Sequence, residues 1–292
     1  MTAIPSTIPA KLPVFDTLLD AFSLWGRNFL YFALIAAVFV TGITFFPTGV
    51  VPDFITGITN GETRFLYLAD VAITVLLTYA LYWLVSWRCF QQLNNTDSKE
   101  TGNWFPKEFL RLNTTLLIFL IIAEVIYPAV EVYIYDAYTS HVLVDRLLNS
   151  DNPGSILSEY SIVLDIALQA PNYIFGILLF VFIPLSVIEK TNFIKALKRT
   201  LELSKGNYFA ILGLFLLNLV VAAVLGAIIW ACFSFLAEFP DLFDLLAIQS
   251  KFFVQIFVPF VQWGLMLTFT VALWAATYAR LLAMKKANLT QN

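Results

Sequence analysis

Two carboxylates, Glu124 and Glu131, stand seven residues apart inside a stretch from about Leu112 to Tyr135 that is otherwise apolar and long enough to cross a bilayer. Seven residues make two helical turns, so both acids fall on nearly one face, with Pro128 between them and Tyr127 and Tyr135 close by. An ionised carboxylate at that depth costs several kcal/mol unless it faces the bundle interior or water, so Glu124 is expected to be protonated at rest. A line of carboxyls beside a proline-loosened helix can pass protons or cations. The competing reading is structural: Glu124 hydrogen-bonds a polar group of a neighbouring span, for instance Asn218, and ties the bundle together. No intramembrane Lys or Arg and no second strong acid in another span joins this pair, which favours the structural role.

The second chemical feature is basic. Between two long apolar runs lies Glu189 to Tyr208, EKTNFIKALKRTLELSKGNY, with Lys190, Lys195, Lys198, Arg199 and Lys205. At helical spacing Ile194, Leu197, Leu201, Ser204 and Tyr208 share one face and the charges take the others, the pattern of a helix lying on a membrane with its apolar side down. Gly206 ends or bends it. Lys195, Lys198, Arg199 and Lys205 are therefore candidate contacts for anionic lipid head groups, each adding about 1 kcal/mol near such a surface. The same charges also serve to orient the chain in the membrane.

Other chemistry is thinly represented. The lone His141 has no HExxH or paired-Cys neighbourhood, and the glycine-rich phosphate loops and the GxSxG elbow are missing. No catalytic, cofactor-binding or metal-binding residue is therefore assigned. The two cysteines, Cys89 and Cys232, fall at opposite ends of their helices and are expected as free thiols. With 60% hydrophobic and 13% charged residues the chain is far oilier than a soluble domain, and its formal charge of −3 gives no support for nucleic-acid binding.

These residues need an all-α scaffold, and the apolar runs predict a single integral membrane domain over 1–292. Six transmembrane helices are expected at about 29–46, 67–88, 112–135, 166–188, 207–237 and 252–283. Amphipathic surface helices at about 13–28 and 191–205 precede spans 1 and 5. The first opens at Pro13 and carries Val14, Phe15, Leu18, Leu19, Phe22, Trp25 and Phe29 on its apolar side. Fourteen of the 17 Lys and Arg residues fall in the connections on one side of this arrangement, and one each, Arg64, Arg146 and Lys251, in the others. Both termini are expected in the cytoplasm by the positive-inside rule, and no cleavable signal peptide is seen.

Sliding the chain on itself by 179 positions pairs Leu18 with Leu197, Phe22 with Leu201, Leu24 with Leu203, Asn28 with Asn207 and Phe29 with Tyr208. Two units of surface helix, span, outer loop and span would produce this echo. Shared composition of amphipathic helices before membrane spans would too.

The segment IPLSVIEKTNFIKALKRTLELSKGNYFAILGLFLL, with the opening LLDAFSLWGRNF, resembles a broad group of prokaryotic six-helix inner-membrane proteins of unknown function. That group includes the membrane domain fused to some glycerophosphodiester phosphodiesterases. The likeness spans the chain in layout and about 35 residues in motif. It implies a fold and a bacterial inner (plasma) membrane location, and it carries over no catalytic residue, because the phosphodiesterase chemistry sits in a separate soluble domain. The expected function is that of a multi-pass membrane protein with membrane lipids as partners and a non-enzymatic structural, lipid-associated or envelope-homeostasis role. A small transporter or channel using Glu124 and Glu131 is the alternative.

Overall fold

The computed structural model describes residues 11–45, 64–93, 113–127, 129–130, 133, 177, 180–237 and 258–290. Within them the chain is helical and has no strand. We number the helices α1 (Val14–Arg27), α2 (Phe29–Phe45), α3 (Arg64–Leu93), α4 (Thr114–Ile121), α5 (Phe180–Glu189), α6 (Phe193–Ser204), α7 (Tyr208–Ala237) and α8 (Met266–Thr290). A widened π-turn, Ile122–Ile126, continues α4, and another, Phe260–Leu265, leads into α8.

Among the described residues, three helices are long and apolar enough to cross a membrane: Val71–Leu93, Tyr208–Ala231 and Phe260–Ala287. A fourth crossing results if α1 and α2, bent by 80° at Asn28, are taken as one broken span. The build is that of a helical membrane protein, and the six expected spans exceed what the described residues contain. Of the third and fourth expected spans, only Thr114–Ile126 and Phe180–Glu189 are continuous described helix. The outer connections, His141 and Glu131 lie outside the described residues.

The core gathers around α8. Val271 to Tyr278 are buried without a break, and Trp274 meets Tyr82 of α3 and Phe180 of α5 at ring separations of 5.5 and 6.1 Å. A helix buried all round is what an apolar sequence without a polar stripe produces. By contrast α7 is apolar throughout yet only 17% of its span is buried, against 67% for the span that contains α8. Its free side faces outward.

Both amphipathic helices keep an outward stripe of large apolar residues and turn a face of mostly smaller residues to the bundle. On α1 the buried residues are Thr17, Ala21 and Leu24, while Phe15, Leu19 and Phe22 are exposed. On α6 Ala196, Thr200, Leu203 and Ser204 are buried, while Ile194, Leu197 and Leu201 are exposed. Ser204 thus belongs to the inner face, not to the outer apolar stripe. Small residues inside let the helices approach the bundle closely, and large apolar residues outside find their partner in hydrocarbon.

The two triplets 17, 21, 24 and 196, 200, 203 correspond at the offset of 179 seen in the sequence. So do the elbows that follow. Asn28 donates its backbone N–H to Trp25 O and accepts from Phe32 N; Asn207 donates to Ser204 O and accepts from Ile211 N. At the second elbow Gly206 takes φ +84, a conformation that suits a residue without a Cβ. The correspondence covers the buried triplets and the backbone bonds around each Asn, while the elbows differ in conformation, Gly26 lying inside α1 and Gly206 beyond the end of α6.

Candidate functional site

The chemistry-bearing side chains that the fold assembles lie where α1, α5, α6 and the last turns of α8 meet. Local structure prepares α6 first. The chain leaves α5 through Lys190 at φ 49, and Asn192 then caps α6 by accepting from Lys195 N at 3.0 Å. Thr115 of α4 donates its hydroxyl to Thr191 O, and Asn113 donates its side-chain amide to Ser186 O at 2.7 Å, so α4 and α5 hold both ends of this turn.

Charge pairing follows from that placement. Glu189, at the end of α5, accepts from Tyr278 Oη of α8 at 3.0 Å and lies 3.8 Å from Arg199 Nε. Arg199 also approaches Glu202 at 3.8 Å, and Lys285 of α8 reaches the same Glu202 carboxylate at 3.8 Å. On the other flank Arg280 donates Nε–H to Asp20 Oδ2 at 2.6 Å, with Asp16 3.8 Å from its Nη1. The short contact to Asp20 is a charge-assisted bond, while the 3.8 Å pairs are partly solvated and contribute little each. From the C-terminal half of α8, Arg280 thus ties down α1, Lys285 reaches α6 and Tyr278 holds the end of α5.

What remains is selective. Arg199 lies 3.8 Å from two carboxylates, so of the four candidate head-group contacts it is the one with ion-pair partners among the described residues. Lys195, Lys198 and Lys205 are exposed and form no ion pair among the described residues. They stand beside exposed Ile194, Leu197 and Leu201, and Tyr208 and Phe209 follow at the entry to α7, with Phe209 90% exposed. Cations next to an outward apolar stripe can engage an anionic, oily surface.

A buried polar node underlies the first elbow. Asn28, 4% exposed, donates Nδ2–H to Leu24 O at 2.8 Å, and its Oδ1 accepts from Arg88 Nε at 3.1 Å and Gln92 Nε2 at 2.9 Å. Arg88 also lies over the Tyr31 ring, 5.5 Å from its centroid. At the second elbow Asn207 Oδ1 accepts a single bond, from Leu12 N at 2.9 Å. The sequence marks both asparagines by their echo but not their partners. Asp16 and Asp20, one turn apart on α1, were the available signal for a basic partner.

Asn218 is buried in α7 and its Oδ1 accepts from Thr270 of α8 at 3.2 Å, a bond that spans those two helices. The backbone of Glu124 sits within the π-turn Ile122–Ile126. The Glu124 side chain lies outside the described residues, as does Glu131. Cys89 is a free, buried thiol, and Cys232 has no described side chain. No group of three or more His, Cys, Asp or Glu side chains suited to a metal ion occurs among the described residues. No family model, curated protein or solved structure matches the chain.

Proposed function

We propose that this is a non-enzymatic, multi-pass protein of a bacterial inner membrane, with cytoplasmic termini, whose α6 surface engages anionic lipid head groups in a lipid-associated or envelope-supporting role. The observation that carries the reading is the contrast within α6: Arg199 is paired with carboxylates, while Lys195, Lys198 and Lys205 are left exposed beside an outward apolar stripe. A helix serving only to pack the bundle has no use for that stripe. The positive-inside distribution puts the same lysines at the cytoplasmic leaflet, where anionic lipid supplies their counter-charge.

Replacing Lys195, Lys198 and Lys205 by Gln is expected to reduce the anionic lipid that co-purifies with the full chain severalfold, since each lysine adds about 1 kcal/mol near such a surface. Zwitterionic lipid and thermal stability should be unchanged. Mass-spectrometric lipid analysis that finds the same anionic content in the triple variant removes the proposal.

One observation supports a transport reading as the second choice. Glu124 stands in a π-turn, a local widening often found at functional positions in helices. Glu124→Gln, reconstituted in vesicles, should abolish proton-coupled flux at a normal protein level if the residue conducts. Loss of the protein from the membrane indicates a packing role instead.

A further inference from the structure

An apolar groove of about 440 Å³ runs between α1, α7 and the start of α8. All ten of its lining residues are apolar in character; Phe22 and Trp25 form one wall, Val221 and Leu225 the second, Val261 and Phe269 the third. The single polar tip, Trp25 Nε1–H, is already donated to Thr268 Oγ1 at 3.1 Å. Phe269 holds the first wall in place, with ring centroids 4.6 Å from Phe22 and 6.2 Å from Trp25.

The groove's shape traces to the π-turn. Gly264 presses so closely on α2 that an added Cβ would lie 3.0 Å from Ala36 Cβ and 3.1 Å from Val40 Cγ2. The start of α8 thus lies close against α2, while α7 touches α1, the π-turn and α8 and leaves most of its surface bare. At the groove's edge Phe22, Val220 and Val224 are all exposed, so its mouth continues the lipid-facing surface of α1 and α7.

We infer that this groove seats one acyl chain of a membrane phospholipid as a bound ligand, distinct from the exchanging lipid around the bundle. Its walls offer no hydrogen bond, which excludes a polar ligand, and its mouth opens sideways onto hydrocarbon. A helix from a second copy is too thick: at about 10 Å across and 5.4 Å per turn, roughly one turn would fill the space. A single flexible chain fits both the section and the chemistry. The inference needs only that these helices lie in a membrane, and it is independent of the lysine contacts on α6.

Native mass spectrometry of the detergent-purified full chain tests it. The wild type is expected to keep one phospholipid per chain through a delipidating wash. Val221→Phe, which fills the groove, should lower that retention at least fivefold, whereas Leu216→Phe on the exposed side of α7 should leave it intact. A diazirine amino acid in place of Leu225 preserves the packing and should label the acyl chain of a phospholipid. Equal retention by a folded Val221→Phe variant overturns the inference, as does diazirine labelling confined to protein; if the filled variant does not fold, the label alone decides.

Discussion

Asn28→Ala is expected to lower the stability of the purified chain by about 3 kcal/mol, because it strips an acceptor from a guanidinium and a carboxamide at a place water hardly reaches. The side chain is 4% exposed, and its Oδ1 serves Arg88 and Gln92 together while its amide caps Leu24 O. Asn28→Asp keeps the acceptor and adds an attraction for Arg88, so it should recover most of the loss. The repeat provides an internal control. Asn207→Ala forfeits one bond, from Leu12 N, at a half-buried position, and should cost about 1 kcal/mol. Unfolding in a denaturing detergent titration, followed by circular dichroism, measures all three. Equal losses at the two asparagines would show that the node with Arg88 and Gln92 contributes nothing beyond the turn itself.

Gly264→Val should be the most damaging single change, at roughly 3 kcal/mol or more, through overpacking between helices. The first added carbon already meets Ala36 and Val40 at 3.0 and 3.1 Å, and the Ala36 carbonyl oxygen at 3.3 Å blocks retreat because it is backbone. Gly42 offers the instructive comparison. A Cβ there would come 2.5 Å from Leu77 Cδ1, which is closer, yet the obstacle is the far end of a flexible side chain that can rotate away. Gly42→Ala should therefore cost under about 1.5 kcal/mol despite the shorter distance. Thermal unfolding of the two variants by fluorescence-detected size exclusion separates the cases, and a larger loss at Gly42 would refute the argument. A folded Gly264→Val protein should also have a reshaped lipid groove, since the same contact sets the start of α8.

The helices themselves were largely legible in the sequence. Pro13 opens α1, Asn192 and Gly206 bracket α6, and the uncharged run after Asn207 becomes α7, all of them local signals within a turn or two of the feature they determine. The repeat was legible as an offset, and the elbows and buried triplets give it physical content. The outward apolar stripes were legible too, since Phe15, Leu19 and Phe22 on α1 and Ile194, Leu197 and Leu201 on α6 are exposed. What the sequence did not mark was the inner face of Thr17, Ala21 and Leu24 and of Ala196, Thr200, Leu203 and Ser204. The pairings were hidden too. Tyr278 and Glu189 are 89 positions apart, Asp20 and Arg280 are 260 apart, and nothing local to Arg199 distinguishes it from Lys198. The groove lies between three helices, so no single segment encodes it, whereas the 80° bend falls at the boundary expected between surface helix and span. Glu124 and Glu131, the acids most conspicuous in the sequence, have no described side chain on which to base a geometry.

The long separation between Asp20 and Arg280 has a consequence for how the chain is made. The most extensive neighbour of α1 is α8, the last helix, which the ribosome delivers some 260 residues later. At about 5–20 residues per second that is an interval on the order of tens of seconds. Throughout it α1 lacks its most extensive neighbour, and its exposed phenylalanines and leucine can hold it in the head-group region until α8 emerges. Docking α1 against α8 is then a step that joins segments made some 260 residues apart.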